Sequence, residues 1–214
     1  MAAPKHTILI AGASGVVGKA ATEYFASLPE WQVLALSRRP FDLPEGVQHV
    51  PVDLCDAQAC HSAAVNLSHV THVLFAALFE LPELVAGWRD PRQMQTNEAM
   101  LRNLLDALTP QAKGLRHITI MQGTKAYGGH VEPAPVPAKE RWPRHPHENF
   151  YWLQEDMLRA RQPHAGLPLH DRRLVPDLQG QRERRHGQRR CRQGLPGQGH
   201  RRAGRRLDAR RPGD

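Results

Sequence analysis

The chain has 214 residues, 40% of them hydrophobic, which suffices for one domain with a sizeable core plus an appendage. Its net charge of +8 is unevenly spread: residues 1–162 carry 15 Lys+Arg against 16 Asp+Glu, whereas residues 163–214 carry 14 Arg and no Lys against five acids, so the basic character belongs to the tail. Three cysteines (Cys55, Cys60, Cys191) exclude an even disulfide framework and lack zinc-site spacing, and no apolar run approaches the ~20 residues of a membrane span, which together point to a cytoplasmic protein with reduced thiols and no metal site.

In chain order, residues 7–10 read as a short buried strand, followed by glycines at 12, 15 and 18 and a helical pattern over 19–28. Further strands are expected over 33–36, 47–54, within 69–78 and over 115–121. Helices are expected over 57–67, over 95–108 with Pro110 marking the end, and over 149–161. Residues 128–147, rich in Pro, Gly and His, read as a loop over the carboxyl ends of the strands. Regular alternation of strand and helix predicts an α/β fold, a doubly wound parallel sheet with helices on both faces.

A strand, a glycine-rich turn and a helix form the first unit of a dinucleotide-binding fold. Gly12 permits the tight turn, Gly15 lets the backbone approach a pyrophosphate, and Gly18 lets the helix pack on the strand. With Ser14, Val16 and Val17 they form the first part of a candidate cofactor-contact set. The second strand ends in Ser37-Arg38-Arg39, where an acidic residue would select a ribose 2′-hydroxyl. Guanidinium groups there suit a 2′-phosphate and favour NADP(H), the alternative being two solvated arginines. Asp53, beside Leu54, would meet the adenine amine or else serve as a turn or helix-cap residue. Ala76 and Ala77 end the fourth strand with side chains small enough to admit a cofactor, and Gln122 ends the fifth.

These features, with the run His117-Ile-Thr-Ile-Met-Gln-Gly-Thr-Lys-Ala-Tyr127, resemble the short-chain dehydrogenase/reductase superfamily. The runs Asn97-Glu-Ala-Met-Leu-Arg-Asn-Leu-Leu-Asp106 and Asn149-Phe-Tyr-Trp-Leu-Gln-Glu-Asp156 are similar to the progesterone 5β-reductase/iridoid synthase-like group. The likeness covers residues 6 to about 162. Most of the superfamily uses Tyr-x-x-x-Lys, but four residues after Tyr151 stands Glu155, which also argues against a sugar-nucleotide epimerase. The resemblance implies instead that Lys125, after the fifth strand, partners Tyr151. It further implies that nicotinamide hydride passes to an activated enone while Tyr151 hydrogen-bonds the carbonyl, with Lys125 lowering the tyrosine pKa. On the residues alone, a solvated lysine and a packing tyrosine remain open.

The group's pattern of a sixth strand, an Arg-Pro turn and a smaller substrate domain is not recognisable after residue 162, which sets an expected boundary between a Rossmann domain (1–162) and a disordered tail (163–214). The tail has three readings. A frame-shifted translation is favoured by the abrupt loss of pattern and by arginine without lysine; the others are a nucleic-acid-binding arm and an inert tail. The sequence therefore predicts an NADPH-dependent reductase-like domain for a small carbonyl or enone substrate, weakly active or inactive as written. The alternative is a non-catalytic NADP(H)-binding regulator that contacts nucleic acid through the tail. Oligomeric state is open.

Overall fold

The computed structural model describes residues 4–82, 87–134, 136–139, 141–165 and 169–173. All of them fall within one unit, Met1–Pro176. Most of the expected tail, and with it Cys191, lies outside the described residues.

Six strands form one parallel sheet: β1 (His6–Ala11), β2 (Trp31–Ser37), β3 (Gln48–Pro51), β4 (His72–Phe75), β5 (His117–Gln122) and β6 (Leu169–Arg173), in the spatial order β3-β2-β1-β4-β5-β6. The central strands β1 and β2 are near-continuous apolar runs, as strands covered on both faces must be. Alternate residues of β1 divide the core. Ile8 and Ile10 pack with Val33 and Ala35 toward Phe25 of α1 (Val16–Ala26). Leu9 and Ala11 face the opposite layer, built on α2 (Ala57–Ala64) and α3 (Pro91–Gln111), where Leu101, Leu104, Leu105 and Leu108 join the larger cluster. The last helix, α4 (Phe150–Ala165), packs beside α3 and adds Leu158 to that cluster.

Strand order reverses between β1 and β4. In such sheets the loops diverge there and leave a crevice at the carboxyl ends of the strands.

Two expectations are corrected. Helix α3 begins at Pro91, four residues before the apolar period does, because Asp90 caps it by accepting the Arg92 N–H at 2.8 Å and proline fits the first helical position. It also carries Pro110 inside its last turn, where a missing N–H forfeits one bond without ending the helix. The second correction concerns the expected loss of the fold after residue 162. Helix α4 runs to Ala165, and β6 pairs in parallel with β5, Ile118 opposite Leu169 through Gln122 opposite Arg173. A strand is held by its backbone ladder, so a sequence as polar as Leu-His-Asp-Arg-Arg can add at the end of a sheet without an apolar run to announce it.

Candidate active site

The turn after β1 is fixed by its own backbone. Gly12 and Ala13 N–H groups both donate to the Leu36 carbonyl, at 3.0 and 3.1 Å, tying the turn to the end of β2. Gly12 has φ +83°, and a Cβ there would lie 2.6 Å from the Ala77 backbone, so glycine is required for conformation and for space. A Cβ on Gly18 would overlap the Gly12 carbonyl oxygen and lie 2.8 Å from the Ala13 Cα, which is how α1 comes to sit against the turn. Gly15 precedes α1 as its N-cap and meets only the Gly12 oxygen, at 3.3 Å.

Asp56, Asp90 and Asn149 side chains cap the other three helices. Helix α1 has no side-chain cap and no acidic residue in its first turn, and the residues just before it, Ser14 and the N-cap Gly15, line a cavity at the crevice, which leaves its positive dipole end available there. An uncapped helix start, a glycine cradle that a Cβ would fill and the small Ala76-Ala77 pair together fit a dinucleotide pyrophosphate.

A cavity of about 230 Å³ adjoins the turn, lined by Gly12, Ser14 and Gly15, by Ser37 and Arg38, and by Asp53, Leu54 and Ala77. It brings together most of the candidates from the first half of the chain. Ser37 is committed internally: its hydroxyl donates to the Arg39 carbonyl at 2.7 Å, so His49 Nε2, 2.9 Å away, must donate to it. Arg39 is exposed and is not among the residues that line this cavity. Asp53 accepts the Cys55 N–H at 2.9 Å as a turn residue, while the helix-cap role falls to Asp56. Cys55 is exposed and Cys60 buried, both free thiols. Burial and the neighbouring carboxylates of Asp56 and Asp53 push Cys60 up to about 11.

A second cavity of about 370 Å³ shares Ala76, Ala77 and Leu78 with the first and opens toward β5. Val17, Gln122, Lys125 and Tyr151 line it. Val16 is exposed and lines neither. Lys125 stands on a single 3₁₀ turn, Thr124–Tyr127, directly after β5. Its ammonium lies 3.5 Å over the Trp88 ring and 3.8 Å from Glu80 Oε1. Burial lowers its pKa, and Glu80 opposes that shift. Tyr151 stands in the first turn of α4 with its ring 5.6 Å from Trp88. Burial pushes its phenol up to about 12, opposed by a hydrogen bond from the Gly123 backbone.

The expected depression of the tyrosine pKa by Lys125 is therefore not found. The ammonium is turned to Glu80 and the indole face, and burial sets the direction of the Tyr151 shift. Glu155, in the position the superfamily usually gives to lysine, is itself buried, with one oxygen shared by two partly exposed arginines and the other accepting from Gln122 at 3.5 Å. Burial alone would raise its pKa, but hydrogen bonds from Arg159 (2.8 Å) and Arg144 (3.0 Å) outweigh that and hold it below the usual carboxylate range.

Trp88 and Glu80 were not foreseen. Trp88 is 3% exposed and its Nε1–H donates to Glu80 Oε1 at 3.1 Å, so the two residues together form the wall on which Lys125 rests. They fall in the polar stretch after β4, which has no apolar period, and the single available signal was that such a stretch follows a carboxyl strand end.

The NAD dependent epimerase/dehydratase family model matches residues 8–151, the glycine turn through Tyr151. The chain belongs to that family. A (S)-8-oxocitronellyl enol synthase from Camptotheca acuminata is 32% identical over 173 residues, covering 74% of this chain and 43% of that protein. The Arabidopsis thaliana 3-oxo-Delta(4,5)-steroid 5-beta-reductase is 31% identical over 162 residues, covering 70% and 40%. These are members of the group that the Asn149-Phe-Tyr151 run resembles. The chain thus spans less than half the length of these relatives. Among solved structures, a short-chain dehydrogenase/reductase superfamily protein from Agrobacterium tumefaciens with bound NAD superposes with a TM-score of 0.61 at 26% identity, covering 78% of this chain and 48% of that one. Family and fold neighbour agree on a Rossmann fold of the NAD-dependent kind. No helix among the described residues is long and apolar enough to cross a membrane.

Proposed function

We propose that the chain is the cofactor-binding and hydride-transfer part of an NADP(H)-dependent reductase for an activated carbonyl or enone. The observation that carries this reading is the shared lining of one cavity by Tyr151 and Lys125, continuous through Ala76 and Ala77 with the glycine cradle. When bound, the nicotinamide supplies the hydride to the β-carbon of the enone. The chain's own residues do the rest. Tyr151, neutral and desolvated, donates a hydrogen bond to the carbonyl oxygen, and this bond strengthens as negative charge moves there from the breaking C=C bond. Lys125 adds a fixed positive charge to the same pocket, held against Trp88 until substrate or cofactor draws it inward. The apolar walls, Phe75, Trp88 and Phe150, exclude water.

Arg38, at the cavity edge, is the residue that would read a 2′-phosphate; Arg39 supports it from the surface. Titration with NADPH and NADH, followed by nicotinamide fluorescence, tests the cofactor. Arg38→Ala should weaken NADPH binding about 10- to 100-fold, the worth of a charged hydrogen bond, and leave NADH nearly unchanged. Equal losses for both would overturn the NADP(H) reading. Enone-dependent NADPH oxidation tests the chemistry: Tyr151→Phe should cut the rate about 100- to 1,000-fold. Substrate class and weak turnover of the 214-residue chain are read in the same assay. That second expectation rested on residues 163–214, of which 163–165 and 169–173 alone are described.

A further inference from the structure

One buried amide joins the two candidate catalytic residues. Asn149 is 3% exposed and precedes α4. Its Oδ1 accepts the Tyr151 backbone N–H at 3.0 Å, the ordinary work of a helix cap. That bond assigns the other end of the amide as Nδ2, and Nδ2 donates at 2.9 Å to the backbone carbonyl of Lys125, 24 residues earlier. The same carbonyl also accepts the Gly128 N–H at 3.1 Å, closing the 3₁₀ turn. The second Nδ2 hydrogen points at His147 Nε2, 3.0 Å away.

An amide nitrogen has no acceptor to offer, so His147 Nε2 must be unprotonated and its hydrogen must sit on Nδ1. Nδ1 then donates to His145 Nδ1 at 2.7 Å, which leaves His145 to donate from Nε2 to Glu132 at 3.0 Å. Every member of this chain has one consistent role, and its direction runs from the amide outward to the loop carboxylate. A flipped amide would set Nδ2 against the Tyr151 N–H and Oδ1 against the Lys125 carbonyl, two mismatches that fix its orientation.

We infer that Asn149 is a positioning residue: through the Lys125 carbonyl it holds the turn that sets the Lys125 ammonium over Trp88 at the cavity wall, and through the Tyr151 N–H it registers that turn against the tyrosine. The inference rests on Lys125 and Tyr151 being the working pair. It goes beyond a cap, which needs Oδ1 alone. Aspartate and serine cap helices about as well as asparagine, yet aspartate cannot donate and serine is too short to span to the lysine turn.

The test uses the full chain with its five lysines dimethylated with ¹³C, which keeps their charge. Lys125, assigned by Lys125→Arg, should resonate upfield of the other four because it lies over the Trp88 ring. In Asn149→Asp the fold should persist, with a melting temperature close to wild type, while the Lys125 signal moves to the position of the other lysines. Asn149→Ser should do the same. In NADPH oxidation, Asn149→Asp should lower kcat about 100-fold, as a misplacement of about 1 Å can, with KM for NADPH nearly unchanged.

A Lys125 signal that stays upfield in both folded variants would overturn the inference, as would loss of folding in both, since that is the behaviour of a structural residue. A wild-type chain with no turnover would instead count against the proposed reaction, and the lysine spectrum would still decide the role of Asn149.

Discussion

Gly12 and Gly18 were legible as residues because their roles are steric and local. A turn with positive φ and a helix laid on a turn leave no room for a Cβ, and the backbone of Gly12, Ala13, Ala76 and Ala77 supplies the contacts. Since the obstacles at Gly18 are backbone atoms, they cannot step aside. Gly18→Ala should therefore cost about 1–3 kcal/mol, read as a drop in the denaturation midpoint, and should weaken dinucleotide binding by tilting α1 away from the cradle. Gly15→Ala, with one contact at 3.3 Å, should cost less than Gly18→Ala in stability and show its effect in binding. Lys125 and Tyr151 were legible by motif, but the direction of the Lys125 side chain was not. That direction depends on Trp88 and Glu80, which approach from a different strand end and leave no mark in the spacing around residue 125. Asn149 stood in the motif, yet a sequence cannot tell a cap from an amide that also reaches 24 residues back.

Among the elements, β1, β2, β4 and β5 were legible because a doubly covered sheet demands apolar runs, and α1 because it follows the glycines, whereas the polar β6 was not. The first turns of α3 were not, since its buried positions include polar side chains. Gln93 accepts the Leu81 N–H at 2.7 Å, and Asn97, fully buried, accepts the Phe79 N–H at 2.8 Å and donates to the Phe79 carbonyl at 2.7 Å. These amides stand in for a strand neighbour and pin the segment after β4 where it lines the site. To an apolar-period reading they look like an exposed face. Glu155 raises the same difficulty on α4. It is buried beside Gln122 and shared by Arg144 from the long loop and Arg159 one turn later. Removing both arginines strands an ionised carboxylate in the interior, and Arg144→Ala with Arg159→Ala should destabilise by about 3–5 kcal/mol at neutral pH. Each single change should cost less than half of that, because the remaining guanidinium still pairs the carboxylate; a denaturant double-mutant cycle measures the coupling. The Glu155 pKa is depressed in the fold, so its contribution is present at neutral pH and is lost as pH falls through the folded value.

Across the whole molecule, the two ends of the sheet carry different chemistry. The carboxyl ends hold the glycine cradle and the site, whereas β1 and the neighbouring strands β2, β4 and β5 begin with a row of rings: His6, Trp31, His72 and His117. His72 lies 4.8 Å from Trp31, 5.5 Å from His6 and 6.1 Å from His117, centroid to centroid. Thr71 fixes its tautomer, because the threonine hydroxyl already donates to the Thr7 carbonyl at 3.0 Å and must accept from His72 Nδ1 at 2.8 Å. Burial lowers the His72 pKa, and His6, His117 and Arg116 lower it further by repulsion. A folded value below the unfolded one, about 6.5, means the unfolded chain takes up protons first as pH falls. Stability is therefore whole above about pH 6.5 and declines below it until the folded pKa is passed. His130 and His147, also lowered chiefly by burial, act in the same direction from the loop above the site. Melting temperature measured from pH 8 to pH 5 should fall on the acid side. His72→Phe keeps a ring in the stack and removes the titration, so it should flatten part of that fall. An acid limb identical to wild type in His72→Phe would assign the loss to the loop histidines, and His147→Phe would then reduce it in part, His130 carrying the rest.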